Sequence, residues 1–305
     1  MTASPPSLRI AIVGDVHNQW DEADHRTLEA LGVDLVLFVG DFGNEAVNIV
    51  RQISQLALPK AVVMGNHDAW YSATSWGKQR CPYDRTQEDW VQQQLDLLGD
   101  SHVGYGCKDF PDLGVSVIGA RPFSWGGAHW KYSKFYKERF GIHSFQESTK
   151  RIVQSMAAAT SEHLLVIAHN GPTGLGDQPR DPVGKDWGDD PGGDYGDPDL
   201  TAAIAQAPSL GKQIPLVTFG HMHHSLRQPK GAARRTYHRT DQTFYCNAAC
   251  VPRVRELQGE TLRHFALVEI AAGQLQRAAQ AWVNIAGQVV AESIDYSAPD
   301  ATRRN

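Results

Sequence analysis

Three short apolar runs, separated by stretches with helical spacing, constrain this chain more than any other feature. Leu8 to Gly14 is apolar apart from Arg9. Asp34 to Val39 is the second run and ends in Gly40-Asp41. Lys60 to Met64 is the third and ends in Gly65-Asn66-His67-Asp68. Runs of this length, bounded by turn residues, fit buried strands. Between the first two, Asn18 to Leu31 places Trp20, Ala23, Leu28 and Leu31 at helical spacing, with Gly32 as a C-cap. Between the second and third, Glu45 to Leu58 presents an apolar face that includes Val47, Val50, Ile53 and Leu56, and Pro59 stops it. Helical crossovers imply parallel strands with right-handed connections. Such strands end on one edge of the sheet, where open α/β sheets bind ligands. Neighbouring strands lie about 4.8 Å apart, so side chains just past adjacent strand ends converge. Asp15, His17, Asp41, Asn66 and His67 all occupy that edge.

The rest of the chain alternates less regularly. Trp70 to Pro82 reads as a loop and Thr86 to Leu98 as a helix. Further strands are expected at Val115 to Ala120, His163 to Ala168, Leu216 to Phe219, Thr243 to Ala248, Arg263 to Ile270 and Gln280 to Ile285, with helices at Phe145 to Ala159 and Leu200 to Ala207. The strand at 163 runs into His169, and the one at 216 into Gly220-His221-Met222-His223-His224. With no internal repeat and no linker-like break, the expected division is a disordered N-terminus over 1–7, one domain over 8–292 and a flexible tail over 293–305.

Composition narrows the function classes. A hydrophobic content of 41% and a charged content of 21% fit a soluble globular protein with a sizeable core. A net charge of -5 gives no general affinity for nucleic acid. The apolar run Ile10 to Val13 is too short for a signal-peptide core, and no run approaches the roughly 18 residues of a membrane span. The expectation is therefore a cytoplasmic protein without a membrane partner. The four cysteines form no CxxC pair. Cys246 and Cys250 are four apart, with no second Cys pair or nearby His pair to complete a zinc site. Thirteen histidines are the one compositional hint of metal chemistry.

Five polar clusters follow predicted strands: Asp15-x-His17, Gly40-Asp41, Gly65-Asn66-His67-Asp68, His169, and Gly220-His221-Met222-His223. Taken singly, Asp41 also reads as a helix N-cap and His169 as a satisfied core histidine. Taken together and in this order, the set resembles the calcineurin-like metallophosphoesterases, a superfamily of binuclear metal hydrolases, from Ile10 to about Arg253. The resemblance implies a four-layer α/β/β/α sandwich, two face-to-face sheets with flanking helices. The first half would supply one sheet and the second half the other. It also implies two divalent metal ions, with Mn, Fe or Zn suited to a nitrogen and oxygen donor set without Cys. Asp15, His17 and His223 match the ligands of the first metal. Asn66, His169 and His221 match those of the second, and Asp41 matches the bridge. His67 matches the histidine that donates a proton to the phosphoester oxygen, and Asp68 the acid expected to orient its imidazole. The implied activity is metal-dependent phosphoester hydrolysis by a metal-bridging hydroxide, as a phosphatase with a small phosphomonoester favoured. The alternatives are a phosphodiesterase on a small or cyclic diester, a mononuclear zinc hydrolase and a non-enzymatic metal-binding scaffold.

The chain departs from the protein Ser/Thr phosphatases of that superfamily, which carry an Asp and an Arg shortly after the bridging Asp. Here Asp41-Phe42-Gly43-Asn44-Glu45 holds no Arg. Arg121, just past a predicted strand and beside Pro122, is the candidate to bind the substrate phosphate, with Arg253 behind it. Residues 173–199 contain eight Asp against Arg180 and Lys185. This loop follows His169 and reads as a solvated acidic loop or as a lid that selects small phosphorylated substrates and disfavours nucleic acid by repulsion. Trp125, Trp130, Tyr132, Phe135 and Tyr136 lie among Lys131, Lys134 and Lys137. They read as the half-buried face of an amphipathic helix or as a platform for a nucleobase or sugar.

Overall fold

Both faces of the central strands are buried, which is why they read as continuous apolar runs in the sequence. The computed structural model describes residues 7–299. Most of the N-terminal stretch 1–7 and the last residues of the expected tail lie outside them. The first half runs β1 (Leu8–Val13), α1 (Glu22–Leu31), β2 (Leu35–Phe38), α2 (Val47–Ser54), β3 (Lys60–Val62), α3 (Trp70–Ala73), α4 (Ser75–Lys78) and α5 (Trp90–Leu98). Then come β4 (Cys107–Phe110), β5 (Val115–Gly119), α6 (Ser133–Phe140), α7 (Phe145–Ala158), β6 (His163–Ile167), α8 (Pro198–Ile204), β7 (Gln213–Phe219), β8 (Tyr237–Arg239) and β9 (Phe244–Asn247). The chain closes with β10 (Val254–Leu257), β11 (Glu260–Ala271), β12 (Gln274–Val283) and β13 (Val289–Ser297).

These strands form two mixed sheets. One has the order β13-β12-β11-β1-β2-β3, with β10 paired to β11; the other has the order β4-β5-β6-β7-β9-β8. β1, β2 and β3 are parallel, as the crossovers require. So are β5, β6, β7 and β9. The two-residue period of a strand divides the core into layers. Ile10, Ile12, Leu35 and Leu37 pack between the sheets with Val117, Leu165, Ile167 and Leu216. Ala11, Val13, Val36 and Phe38 face outward to Leu28, Val50, Ile53 and Val91 of α1, α2 and α5. Ile118, Leu164, Val166 and Val217 face outward on the other side to Ile152, Met156 and Leu200 of α7 and α8. The result is the expected four-layer sandwich.

Several expectations change. The second half does not build the second sheet alone: β11 to β13 return to the first, where β11 pairs antiparallel with β1. Periodicity reports that a strand exists but not its partner, and this return covers the otherwise open edge of β1. Val289–Ser297 is a strand, so the flexible tail does not begin at residue 293. Trp70 to Pro82 holds two short helices. α1 starts only at Glu22, because the Asp21 side chain caps it in a reciprocal box with Asp24 while Asn18 takes a left-handed backbone. β4, β8 and β10 carry too few apolar residues to register as strands. Among the described residues no helix is long and apolar enough to cross a membrane.

Candidate metal centre

The carboxyl ends of β1, β2, β3, β6 and β7 meet at one edge, and the loops after them are tied by backbone hydrogen bonds. Asp15 N–H donates to Gly40 O (3.1 Å), His17 N–H to Asp41 O (2.9 Å) and Gly220 N–H to His169 O (2.8 Å). Two glycines permit the close approach. A Cβ on Gly65 would stand 2.3 Å from Asp41 Oδ1, and one on Gly220 would stand 2.2 Å from Asp15 Oδ2. Asp15, His17, Asp41 and His221 all have positive φ. Each such non-glycine residue costs about 1–3 kcal/mol and persists only where the surroundings over-determine it.

The side chains gather in two groups that share Asp41. Asp15, His17 and His223 offer ligand atoms within 4.8 Å of one another, and so do Asp41, His169 and His221. In the first group His17 Nε2 lies 3.3 Å from His223 Nε2, and His223 Nε2 lies 3.3 Å from Asp15 Oδ1. In the second, Asn66 Oδ1 lies 2.9 Å from His169 Nε2 and 2.8 Å from His221 Nδ1. Asp41 presents Oδ2 to His17 at 3.9 Å and Oδ1 to His169 at 3.4 Å. Burial works to raise the Asp15 and Asp41 carboxyls. The surrounding imidazoles outweigh it and hold both below the usual range, His223 foremost at Asp15 and His169 at Asp41.

The donor set fits cations. His169 Nδ1 donates to Val39 O (2.8 Å), which leaves its Nε2 lone pair aimed at the Asn66 oxygen, another acceptor. Asp15 Oδ1 is buried, and the nitrogen close to it is His223 Nε2 at 3.3 Å, itself a ligand candidate. Lone pairs facing one another in a buried pocket are unfavourable until a positive charge sits between them.

His67 lies beside His17 and Asp41, their ligand atoms within 4.8 Å of one another, but apart from its expected support. Its Nδ1 lies 2.6 Å from Asn44 Oδ1, and its ring stacks on Trp70 at 4.7 Å between centroids. Burial lowers its pKa more than the charge of Asp41 raises it. Asp68 does not touch the imidazole. Its carboxylate accepts the backbone N–H groups of Gly65 (2.6 Å), Phe42 (2.8 Å) and Asp41 (3.0 Å), clamping the β2 and β3 loops together. The expectation that Asp68 orients His67 is therefore corrected: the residue after a histidine points away from it in this tight turn, and Asn44 supplies the contact from the neighbouring loop.

Arg121 is corrected too. It is buried, and it donates to Asp197 (2.7 Å) and Asp199 (3.0 Å), both from the acidic stretch. Burial, reinforced by Asp199, pushes the Asp197 carboxyl up to about 6 against the pull of Arg121. Arg253 is likewise buried, against Asp24 at 2.8 Å. Neither guanidinium faces the cleft, because each is consumed by a buried carboxylate. The acidic loop spends most of its charge the same way. Asp186 pairs with Arg234 and Asp181 with Arg235, while Asp194 accepts the N–H groups of Gly174 and Gly196.

A cavity of about 320 Å³ opens over Asp41, Asn66, His67, His221 and His223. Its outer walls are residues that sequence reasoning missed in this role: Trp70, Trp187, Tyr195 and Arg227. Trp125, one residue of the aromatic and basic stretch, also lines it. Of the other aromatics of that stretch, Phe135 and Tyr136 of α6 are buried, and Trp130 and Tyr132 just before it pack half-buried against the core. Arg227, three residues past His224, carried a signal that spacing alone could have raised. Trp187 and Tyr195 were hidden in the acidic loop. The fold also brings Cys250 to His224 and His264, a proximity that sequence spacing had argued against, although the charges of Arg253 and Arg255 bear on both Cys250 and His264.

The profile of the calcineurin-like phosphoesterases matches residues 8–225. No curated protein matches the chain. Among solved structures, a protein of Thermus thermophilus is similar in fold at 11% identity and a TM-score of 0.51, covering 92% of this chain and 100% of that one. A dimetal phosphatase from Danio rerio aligns at 12% identity, TM-score 0.48, over 95% of this chain and 99% of that one. A metallophosphoesterase from Sphaerobacter thermophilus aligns at 17% identity, TM-score 0.34, over 87% and 84%.

Proposed function

This chain belongs to the calcineurin-like phosphoesterase family and is a metal-dependent phosphoester hydrolase, and from that premise we propose that it acts as a phosphatase on small phosphomonoesters. One observation carries the site assignment: the two oxygens of Asp41 face different histidine groups, Oδ2 toward His17 and Oδ1 toward His169. In this reading Asp15, His17 and His223 would hold one divalent ion, Asn66, His169 and His221 the other, and Asp41 both. Bound there, a pair of divalent ions supplies Lewis acidity and brings the pKa of water toward neutrality. The donors are nitrogen and oxygen, which suits Mn, Fe or Zn.

The chain's own groups do the rest. Asn44 Oδ1 accepts from His67 Nδ1–H, which leaves Nε2 for the leaving oxygen, and Nε2 can deliver a proton there only from the imidazolium form. Asp68 holds the Asp41 and Gly65 backbones in register. The cleft volume suits a small ester rather than a polymer. The reading also takes the strands from β1 through β13 as one catalytic unit, since β11 to β13 join the sheet that carries Asp15 and Asp41.

The test is a panel of phosphomonoesters and phosphodiesters assayed with Mn, Mg, Zn and Fe. The expected result is monoester turnover that a chelator abolishes and a divalent ion restores. No turnover of any phosphoester with any of these metals would refute the reading, and a clear preference for diesters would replace phosphatase by phosphodiesterase.

A further inference from the structure

Two aromatic ladders line the cleft beside the metal centre. In one, the His67 ring stacks on Trp70, and Trp70 stacks on Trp125 at 5.3 Å between centroids and 29° between planes. In the other, the Tyr195 ring lies parallel to His221 at 6.5 Å and 9°, and Trp187 meets Tyr195 edge to face at 4.8 Å. Lys131 joins the ladders: its Nζ donates to Trp125 O at 3.2 Å and to the Tyr195 hydroxyl. The Gly127 N–H also donates to Tyr195 O (2.8 Å), which fixes the spacing of the two walls. Arg227 is exposed at the mouth, its guanidinium 6.0 Å from the Trp187 ring, and its backbone is anchored by Asp186.

The metal-side end of the cavity suits a phosphoryl group, and Trp70, Trp125, Trp187 and Tyr195 give the rest an aromatic lining among Asp186, Met222, Ser225 and Arg227. Such a lining favours a planar ring over a sugar or a short aliphatic chain, and every nucleobase has one. The acidic loop reaches the cleft through Trp187 and Tyr195, while its carboxylates are mostly tied to Arg121, Arg234, Arg235 and backbone N–H groups. Its part in substrate choice is thus stacking and not repulsion.

Resting on the phosphatase reading above, we propose that the substrate is a nucleoside monophosphate whose base packs against the aromatic lining supplied by Trp125, Trp187 and Tyr195. The reaction is hydrolysis. The bond from phosphorus to the nucleoside oxygen breaks, water supplies the oxygen that joins phosphorus, and the leaving oxygen takes its proton from His67. The products are a nucleoside and inorganic phosphate.

Adenosine 5′-monophosphate and ribose 5-phosphate share the reacting group and differ in the base, so they isolate the subsite. The expected preference in kcat/KM for the nucleotide is roughly 5- to 150-fold, the worth of stacking one base. Trp187→Ala and Trp125→Leu are each expected to raise KM for the nucleotide about 10-fold and KM for ribose 5-phosphate by less. Equal kcat/KM for the two substrates in the wild type, or equal losses for both in the variants, would overturn the subsite while leaving the phosphatase intact. If neither phosphate is turned over, binding decides the subsite, and the wider phosphoester panel decides the phosphatase reading. Quenching of tryptophan fluorescence by the nucleotide but not by ribose 5-phosphate supports it, and indistinguishable titrations overturn it.

Discussion

His67 Nδ1 lies 2.6 Å from Asn44 Oδ1. The imidazole is thus aimed by an amide from the β2 loop and not by the carboxylate that follows it in the chain. If the two act together on the leaving oxygen, His67→Ala should keep its metals and lose about 10²–10⁴-fold in kcat. Asn44→Ala should lose less. Both losses should grow with poorer leaving groups and shrink for p-nitrophenyl phosphate, whose leaving group needs no proton. Losses independent of the leaving group would show that the pair only stabilises charge.

Asp41 faces both ligand groups. Protein purified without chelator should contain about two equivalents of transition metal, and Asp41→Asn should lower both. Elemental analysis checks this. Metal content equal to the wild type would remove Asp41 as the bridge.

Asp68 accepts three buried backbone N–H groups. Asp68→Ala leaves those donors without a partner at about 1–3 kcal/mol each, so thermal unfolding should report a loss of at least about 3 kcal/mol. A variant with unchanged melting temperature and reduced kcat would instead restore the role of orienting His67.

Arg121 neutralises Asp197 and Asp199 inside the fold. Arg121→Met strands two buried carboxyls and should cost about 3–5 kcal/mol, while KM for a phosphomonoester stays the same at temperatures where the variant is folded. A raised KM at full stability would return Arg121 to the substrate.

Stability should fall on the acid side through His102. Burial lowers its pKa from 6.5 to about 4, and its Nε2 has no hydrogen-bond partner among the described residues. Between those values the unfolded chain binds the proton and the folded chain does not. The contribution is therefore complete above pH 6.5 and is lost as pH falls toward 4, with a slope of at most ~1.4 kcal/mol per pH unit. His102→Leu should flatten the unfolding profile over that window. An unchanged slope would place the acid sensitivity elsewhere, with His264, which burial also depresses, as the next group to replace.

The sequence by itself determined the strand ends and what they carry. Apolar runs closed by Gly14, Gly40 or Gly65 placed Asp15, His17, Asp41, Asn66 and His67 at one edge, because a parallel sheet with right-handed crossovers has only one edge where such ends meet; His169, His221 and His223 joined them through the family resemblance. Side-chain direction was another matter. Asp68 follows His67, yet it turns to the backbone because three N–H groups converge there. Arg121 looked free and is consumed by Asp197, 76 residues away. Trp187 and Tyr195 enter the cleft from the acidic loop and Asn44 reaches His67 from the β2 loop, and no local pattern marks them, since loop residues obey no periodicity and meet only after the sheets have packed. The partner of β1 was hidden for the same reason: pairing with β11 joins residues more than 250 positions apart, and only the closed sandwich decides it.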